Sequence, residues 1–154
     1  MRRIGITGGI GSGKSVVSRL LRIMGYSVYD TDSEAKRLME SSLEVVQKLS
    51  ECFGRDIYHN GRLNRGLLSS RVFGKSDKIV LLNSIVHPVV RFDFYRWSES
   101  LNEEICFVES AILYESRFDE LVDEVWTVTA PEELRISRVR QRSGLTEEEI
   151  KKRM

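Results

Sequence analysis

Gly8-Gly9-Ile10-Gly11-Ser12-Gly13-Lys14-Ser15 matches the pattern G-x-x-x-x-G-K-[ST] of a phosphate-binding loop. Residues 3–7, directly before it, have the composition of a short buried strand. Apolar residues follow with the i, i+3, i+4, i+7 spacing of a helix, at Val17, Leu20, Leu21 and Met24. The loop is therefore predicted to join the end of a strand to the N-terminus of a helix, where phosphate groups bind.

The residue types in this loop suit a nucleoside triphosphate. Glycines allow tight turns and leave backbone N–H groups accessible to an anion, and the helix dipole favours negative charge there. Lys14 can reach the β- and γ-phosphates, and the Ser15 hydroxyl can coordinate Mg²⁺. The residues predicted to bind ATP are Gly8, Gly9, Gly11, Ser12, Gly13, Lys14, Ser15 and Val16. The alternative, a glycine-rich turn with a solvated lysine, accounts less well for the flanking strand and helix.

Composition narrows the classes of protein and partner. The 154 residues, 41% of them hydrophobic, suffice for one packed core with an inserted subdomain. Because 24 basic and 23 acidic residues leave a net charge of +1, no bulk field attracts nucleic acid or an anionic membrane. No apolar run approaches ~18 residues, and the isolated Cys52 and Cys106 favour reduced thiols. We therefore expect a cytoplasmic protein with no signal peptide and with neither nucleic-acid nor membrane partners.

A second short strand, residues 27–30, ends in an acidic cluster that opens a helix. Helix capping alone would explain these residues. However, the carboxyl ends of parallel strands face the ligand crevice of an α/β sheet. A carboxylate at that position can orient an acceptor hydroxyl and take its proton. Asp32 is our candidate for this base, with Asp30 as the reserve.

Residues 41–104 are mainly helical by their apolar spacing and too long for a plain crossover between two strands. They are interpreted as an inserted acceptor-binding subdomain, in which Asn64 caps one helix and His87-Pro88 starts another. Candidates to bind an anionic acceptor are Arg62, Arg65, Arg71, Arg91, Arg96 and His87. Solvated surface arginines and a core histidine are the alternative interpretation.

Two further elements carry candidate residues. Strand 105–109 ends in Glu109. This carboxylate can contact Mg²⁺ through a water molecule or through Ser15, the predicted ligand of the metal. The alternative is that Glu109 only caps the end of the strand. A helix starting at Pro131 places three arginines on one face, at Arg135, Arg138 and Arg142. Such a row is either solvated surface or a lid that supplies positive charge to a transferring phosphoryl group. Strand 124–129 would lie at a sheet edge with nothing recognisable beyond it, which suggests a chain truncated at its C-terminus.

The combination of motifs resembles the dephospho-coenzyme A kinase family over residues 3–153. The matching segments are residues 6–15, Tyr29-Asp30-Thr31-Asp32 with Ala35 and Arg37, Phe53-Gly54, residues 61–65, Val86-His87-Pro88, residues 109–115 and residues 142–146. The chain departs from the family pattern at three positions: Val16 replaces threonine, Ala111 replaces proline and Ser143 replaces aspartate. The phosphate-binding loop is widely shared, whereas its combination with the other segments is far more specific.

The resemblance implies one α/β P-loop kinase domain with a parallel sheet of about four to five strands flanked by helices. Its core would be residues 1–40 and 105–130, its helical insertion residues 41–104, and its arginine-bearing lid residues 131–146. The implied reaction moves the γ-phosphoryl group of ATP to the ribose 3′-hydroxyl of dephospho-coenzyme A, with Ser15 as a ligand of Mg²⁺. From its place at the end of a strand, Glu109 is our second candidate for the metal site. Catalytic roles are expected for Asp32, Lys14, Arg138 and Arg142, and acceptor-binding roles for Asp32, Arg65 and His87.

Three alternatives stay open at this point. Another small-molecule P-loop kinase, acting on a nucleoside, shikimate or gluconate, would differ mainly in its insertion. A GTPase switch would show N-K-x-D and D-x-x-G motifs, and the sequence has neither. A truncated chain would bind nucleotide without transferring a phosphoryl group.

Overall fold

The computed structural model describes residues 1–152 and 154. The strands are β1 (Arg2–Thr7), β2 (Val28–Asp30), β3 (Tyr58–His59), β4 (Arg62–Leu63), β5 (Ile105–Glu109) and β6 (Glu124–Thr127). The helices are α1 (Lys14–Ile23), α2 (Thr31–Ser41), α3 (Leu43–Phe53), α4 (Arg65–Val72), α5 (Ser76–Ser100), α6 (Glu132–Ser143) and α7 (Glu147–Lys151). Short 3₁₀ helices occupy Arg55–Ile57 and Phe118–Leu121.

Four parallel strands form the main sheet in the order β2-β5-β1-β6, so the predicted α/β class and parallel sheet are confirmed. β1 lies between β5 and β6, and its apolar interior is buried on both faces, as parallel sheets require. β6 lies at an edge of the sheet within the described residues. The chain divides into two compact units, residues 1–30 with 100–154, and residues 31–99.

The sheet of the first unit is packed on both faces. On one face, Leu21 of α1 packs with Ile4, Ile6 and Phe107 in an apolar cluster. On the other face, a Cβ added to Gly5 would stand 2.6 Å from Cδ1 of the buried Leu113. The loop after β5 therefore covers the centre of β1, and a larger residue at Gly5 would require the Leu113 side chain to move.

Local capping signals in the sequence are confirmed. Gly25 follows the last turn of α1 with a φ of 93°, and the Asn64 side chain accepts a hydrogen bond from the N–H of Leu67 at the start of α4. Thr146 and Glu149 form a reciprocal capping box at the start of α7. These helix ends are set by a few neighbouring residues, which explains why the sequence reveals them.

The second unit contains α2 to α4, most of α5, and the β3–β4 hairpin. The hydroxyl of Tyr58 on β3 donates to the carbonyl of Met39 at 2.6 Å, and burial raises its pKa to about 12. Arg71 pairs with Asp56 and donates to the carbonyl of Phe53, where α3 ends.

The expected helix start at His87-Pro88 is wrong, because Pro88 lies inside α5, a single helix of 25 residues. Proline removes one backbone donor, but buried residues on both sides, Ile85, Val86, Val90 and Phe94, keep the two halves in one helix. Tertiary packing thus outweighs the local cost. Among the described residues, no helix is both long enough and apolar enough to cross a bilayer.

Ser18 provides a test of packing in the first unit. It is fully buried in α1, and its hydroxyl has no hydrogen-bond partner among the described residues. We expect Ser18→Ala to raise the free energy of unfolding by about 1 kcal/mol, because it removes an unsatisfied buried hydroxyl and favours the helix. Urea denaturation followed by circular dichroism would measure this change.

The matched control is Ser116→Ala in the same unit. The Ser116 hydroxyl is also buried but donates to the carbonyl of Ile112 at 2.5 Å, so its removal should destabilise the protein. Equal losses of stability in both variants would show that the Ser18 hydroxyl is satisfied.

Candidate nucleotide-binding site

Residues 8–13 connect the end of β1 to α1, as the sequence predicts. Gly13 adopts a left-handed conformation (φ 107°) as the N-cap residue of α1. No side chain caps this helix among the residues described, and its first turn contains no carboxylate. The positive end of the helix dipole therefore has no acidic side chain of its own first turn beside it, which suits an anionic ligand.

Three glycines of the loop lie against β6 and α6. A Cβ added to Gly8 would lie 2.3 Å from the carbonyl oxygen of Val128, the residue after β6. A Cβ added to Gly9 would lie 2.3 Å from Nη2 of Arg135, and one added to Gly11 would lie 2.6 Å from the Arg135 carbonyl oxygen. The sequence analysis attributed these glycines to tight turns and to phosphate approach. The structure adds a further reason, which is that neighbouring protein atoms lie at the Cβ positions.

Two of the predicted catalytic cations contact the loop backbone. The ammonium group of Lys14 donates to the carbonyl of Gly8 at 2.5 Å and to that of Gly9 at 3.5 Å. The Arg138 Nη1 atom donates to the carbonyls of Gly11 and Ser12, both at 3.3 Å. Positive charge is thus concentrated at the loop.

Of the other two arginines on the predicted face, one contacts the loop and one does not. Arg135 donates from Nε to the carbonyl of Ile10 at 2.9 Å, although it was not among the predicted site residues. Arg142 is exposed and makes no hydrogen bond to the loop in the described part of the chain. The sequence places all three arginines on one helical face, but it does not indicate which ones reach the loop.

Apolar contacts reinforce this attachment of α6. Ile136, Val139 and Ile150 form a buried cluster, and Ile10 from the loop packs against it. α6 therefore holds the loop through both a hydrophobic contact and charged hydrogen bonds. This arrangement belongs to the first compact unit throughout.

Two carboxylates lie side by side at the carboxyl edge of the sheet. Asp30 on β2 is in register with Glu109 on β5, and Glu109 is in register with Ile6 on β1. Residues in register on parallel strands direct their side chains to the same face, here the face where α1 packs on Ile6. Ser15 lies in the first turn of that helix.

The residues present fit a polyphosphate and its magnesium ion. The Ser12 hydroxyl is buried in the loop without a hydrogen-bond partner among the described residues, so a polar group is available there for a ligand. Ser15, Glu109 and Asp30 offer the oxygen ligands that Mg²⁺ prefers. The described residues contain no group of three or more His, Cys, Asp or Glu side chains placed to hold a metal by themselves.

The predicted acceptor residues lie in the second unit. Asp32 is exposed in the first turn of α2, directly after β2. Arg65 is the first residue of α4 and approaches Glu40 at 3.5 Å, and His87 is half-buried in α5. Arg71, by contrast, is occupied by Asp56, which favours a structural role. The roles of Asp32, Arg65 and His87 stay predictions.

A phosphate-binding loop between a central parallel strand and a helix, with basic residues at its backbone, defines a P-loop nucleotide-binding protein of the α/β class. Comparison with known proteins narrows this class. The family model described as CoaE, dephospho-CoA kinase, matches residues 2–154. This chain belongs to the dephospho-CoA kinase family.

Individual relatives agree with this assignment. A dephospho-CoA kinase of Porphyromonas gingivalis is 46% identical over 154 residues, covering 100% of this chain and 76% of the relative. A crystal structure from Thermus thermophilus superposes with a TM-score of 0.81 at 38% identity, covering 99% of this chain and 78% of that one. The dephospho-CoA kinase of Campylobacter jejuni, at 24% identity, shares the fold with a TM-score of 0.71, covering 99% of this chain and 79% of that one.

His87 gives a prediction about pH dependence. Burial lowers its pKa below the usual 6.5. As the pH falls from 6.5 through the folded-state pKa, the unfolded chain binds more protons than the folded chain, so the free energy of unfolding should decrease. His87→Gln should make stability less dependent on pH in this window. Denaturant unfolding between pH 5 and 7.5 (about the titration range of histidine) would measure the difference.

His59→Gln is the control, since it removes the other of the two histidines and should leave the pH dependence in place. If both variants retain the full dependence on pH, His87 does not cause it.

Proposed function

We propose that this chain transfers the γ-phosphoryl group of ATP to the ribose 3′-hydroxyl of dephospho-coenzyme A. The family match over residues 2–154 supports the acceptor, and the phosphate-binding loop with its basic residues supports ATP as the donor. In this reaction the 3′-oxygen forms a bond to the γ-phosphorus, the bond from that phosphorus to the β,γ-bridging oxygen breaks, and ADP leaves. The hydroxyl proton passes to a base.

The observation that carries the proposal is the concentration of cations at the loop. Lys14 and Arg138 donate to loop carbonyls, so both are held where the phosphates of ATP would bind. In the reaction, we propose that they exchange these carbonyls for phosphoryl oxygens and stabilise the charge that spreads over the transferring group. Arg142 would join them from the same helix, and residues 8–16 would enclose the polyphosphate.

The acceptor side depends on residues of the second unit. Asp32 is proposed as the base that orients the 3′-hydroxyl and takes its proton, with Asp30 as the reserve. Arg65 and His87 are proposed to bind the acceptor, and burial favours the neutral form of His87, which can donate or accept a hydrogen bond. The two cysteines are unpaired, Cys52 exposed and Cys106 buried, which supports our proposal of a reducing, cytoplasmic location.

Magnesium is proposed to bind at the carboxyl edge of the sheet. Ser15 and Glu109 would hold it, and Asp30 is in register with Glu109 on the neighbouring strand. When bound, Mg²⁺ neutralises charge on the phosphate oxygens. The protein's own contribution is to fix a hydroxyl from α1 and a carboxylate from β5 on one face of the sheet.

The base assignment is tested by Asp32→Asn. We expect acceptor-dependent turnover to fall at least ~10²-fold, because the amide cannot take the hydroxyl proton. A coupled assay of ADP release with Mg·ATP, run with and without dephospho-coenzyme A, would measure it. Calorimetric binding of ADP should be unchanged.

Asp77→Asn is the matched control, since Asp77 is likewise an aspartate in the first turn of a helix. It should retain full turnover. Equal activities of the two variants would exclude Asp32 as the base, and turnover with another hydroxyl compound but not with dephospho-coenzyme A would exclude the proposed acceptor. Binding of ADP without any turnover would reject kinase activity for this chain.

A second variant, Glu109→Gln, tests the metal site. The Mg²⁺ concentration needed for half-maximal turnover should rise roughly 10-fold or more, because a carboxylate is replaced by a neutral amide. Titration of turnover with Mg²⁺ at fixed ATP would measure this. The control is Glu115→Gln, an exposed glutamate in the loop after β5. An unchanged Mg²⁺ requirement in Glu109→Gln would remove Glu109 from the metal site.

A further inference from the structure

Arg135 contacts three consecutive residues of the phosphate-binding loop. Its Nε–H donates to the carbonyl of Ile10 at 2.9 Å. Its Nη2 atom lies 2.3 Å from the Cβ position of Gly9, and its own carbonyl oxygen lies 2.6 Å from the Cβ position of Gly11. A single residue of α6 therefore borders the loop from Gly9 to Gly11.

This contact differs from those of the other two cations. Lys14 and Arg138 use the terminal nitrogens of their side chains, which can turn to a phosphate. Arg135 uses Nε, the nitrogen nearest its backbone, and that backbone itself abuts Gly11. Both the side chain and the backbone of Arg135 therefore lie against the loop. This residue is suited to hold the loop in place rather than to reorient toward a ligand.

The consequence follows from the geometry of the peptide group. The C=O of Ile10 and the N–H of Gly11 belong to one planar trans peptide and point in opposite directions. A donor that fixes the Ile10 carbonyl toward α6 therefore directs the Gly11 N–H away from α6. Backbone N–H groups with such orientations form the anion-binding concavity of a phosphate-binding loop.

We propose that Arg135 is a positioning residue for the polyphosphate, acting through the peptide between Ile10 and Gly11. The inference rests on the proposed function, because the anion that the loop binds is taken to be the polyphosphate of ATP or ADP. Arg135 does not itself touch the transferring group. Its removal lowers nucleotide affinity, and the affinity for dephospho-coenzyme A stays the same.

The experiment is calorimetric titration of ADP into the full chain and its variants. Arg135→Ala should raise the Kd of ADP about tenfold, the scale of one lost hydrogen bond from a charged donor. Arg135→Lys, which keeps a donor on a long side chain, should recover part of the affinity. The control is Arg140→Ala on the same helix, since Arg140 pairs with Glu147 at 3.3 Å and should leave ADP binding unchanged.

A double-mutant cycle with Gly9→Ala separates positioning from general destabilisation. Gly9 has no left-handed φ, so alanine fits its backbone, but the new methyl group would displace the Arg135 guanidinium. Gly9→Ala should therefore weaken ADP binding several-fold in the native background and hardly at all in Arg135→Ala. A merely structural defect would instead lower the melting temperature and weaken both ligands.

Three results would overturn the proposal: an ADP Kd within twofold of native in Arg135→Ala, additive effects in the cycle, or an equal loss of dephospho-coenzyme A binding. The readout needs no turnover, so the two proposals fail separately. A native chain that binds ADP but transfers no phosphoryl group would reject the kinase function alone. A native chain that binds no ADP would reject both.

Discussion

The close approach of α6 to the phosphate-binding loop is the constraint on which the site depends. The α6 backbone occupies the Cβ position of Gly11, so that residue must be glycine for the helix to sit where it does, and the Arg135 guanidinium occupies the Cβ position of Gly9. β6 makes this approach possible, because its pairing with β1 brings Thr127 beside Thr7 and the Val128 carbonyl to Gly8. The shape of the loop thus depends on β6 and α6, which lie more than a hundred residues away in the sequence, as well as on its own glycines.

The features that the sequence revealed are those set by local chemistry. The loop motif, the parallel strands around it and the helix caps at Gly25, Asn64 and Thr146 all depend on a few adjacent residues. Glu109 and Asp30 were singled out because each ends a strand, and the register now places them side by side. Strand ends in a parallel sheet share one edge, so this neighbourhood follows from topology alone.

The features that the sequence could not reveal depend on contacts between distant elements. Helical spacing put Arg135, Arg138 and Arg142 on one face, yet only the docking of α6 determines that Arg135 reaches Ile10 while Arg142 stays exposed. Pro88 signalled a helix start, but burial of the flanking apolar residues keeps α5 continuous. Local patterns identify which residue types are available, and packing decides which of them reach the site.

The paired carboxylates at the sheet edge have a consequence for folding. Asp30 and Glu109 place two carboxyl groups side by side on neighbouring strands, and like charges at directly opposite positions oppose strand pairing. A cation between them would convert this repulsion into attraction, and a ligand that binds only the folded state adds its binding free energy to stability. The short strand β2, three residues long, is therefore expected to be held more firmly when the site is filled. Its hydrogen-exchange protection would then rise when a cation and its nucleotide occupy the proposed site.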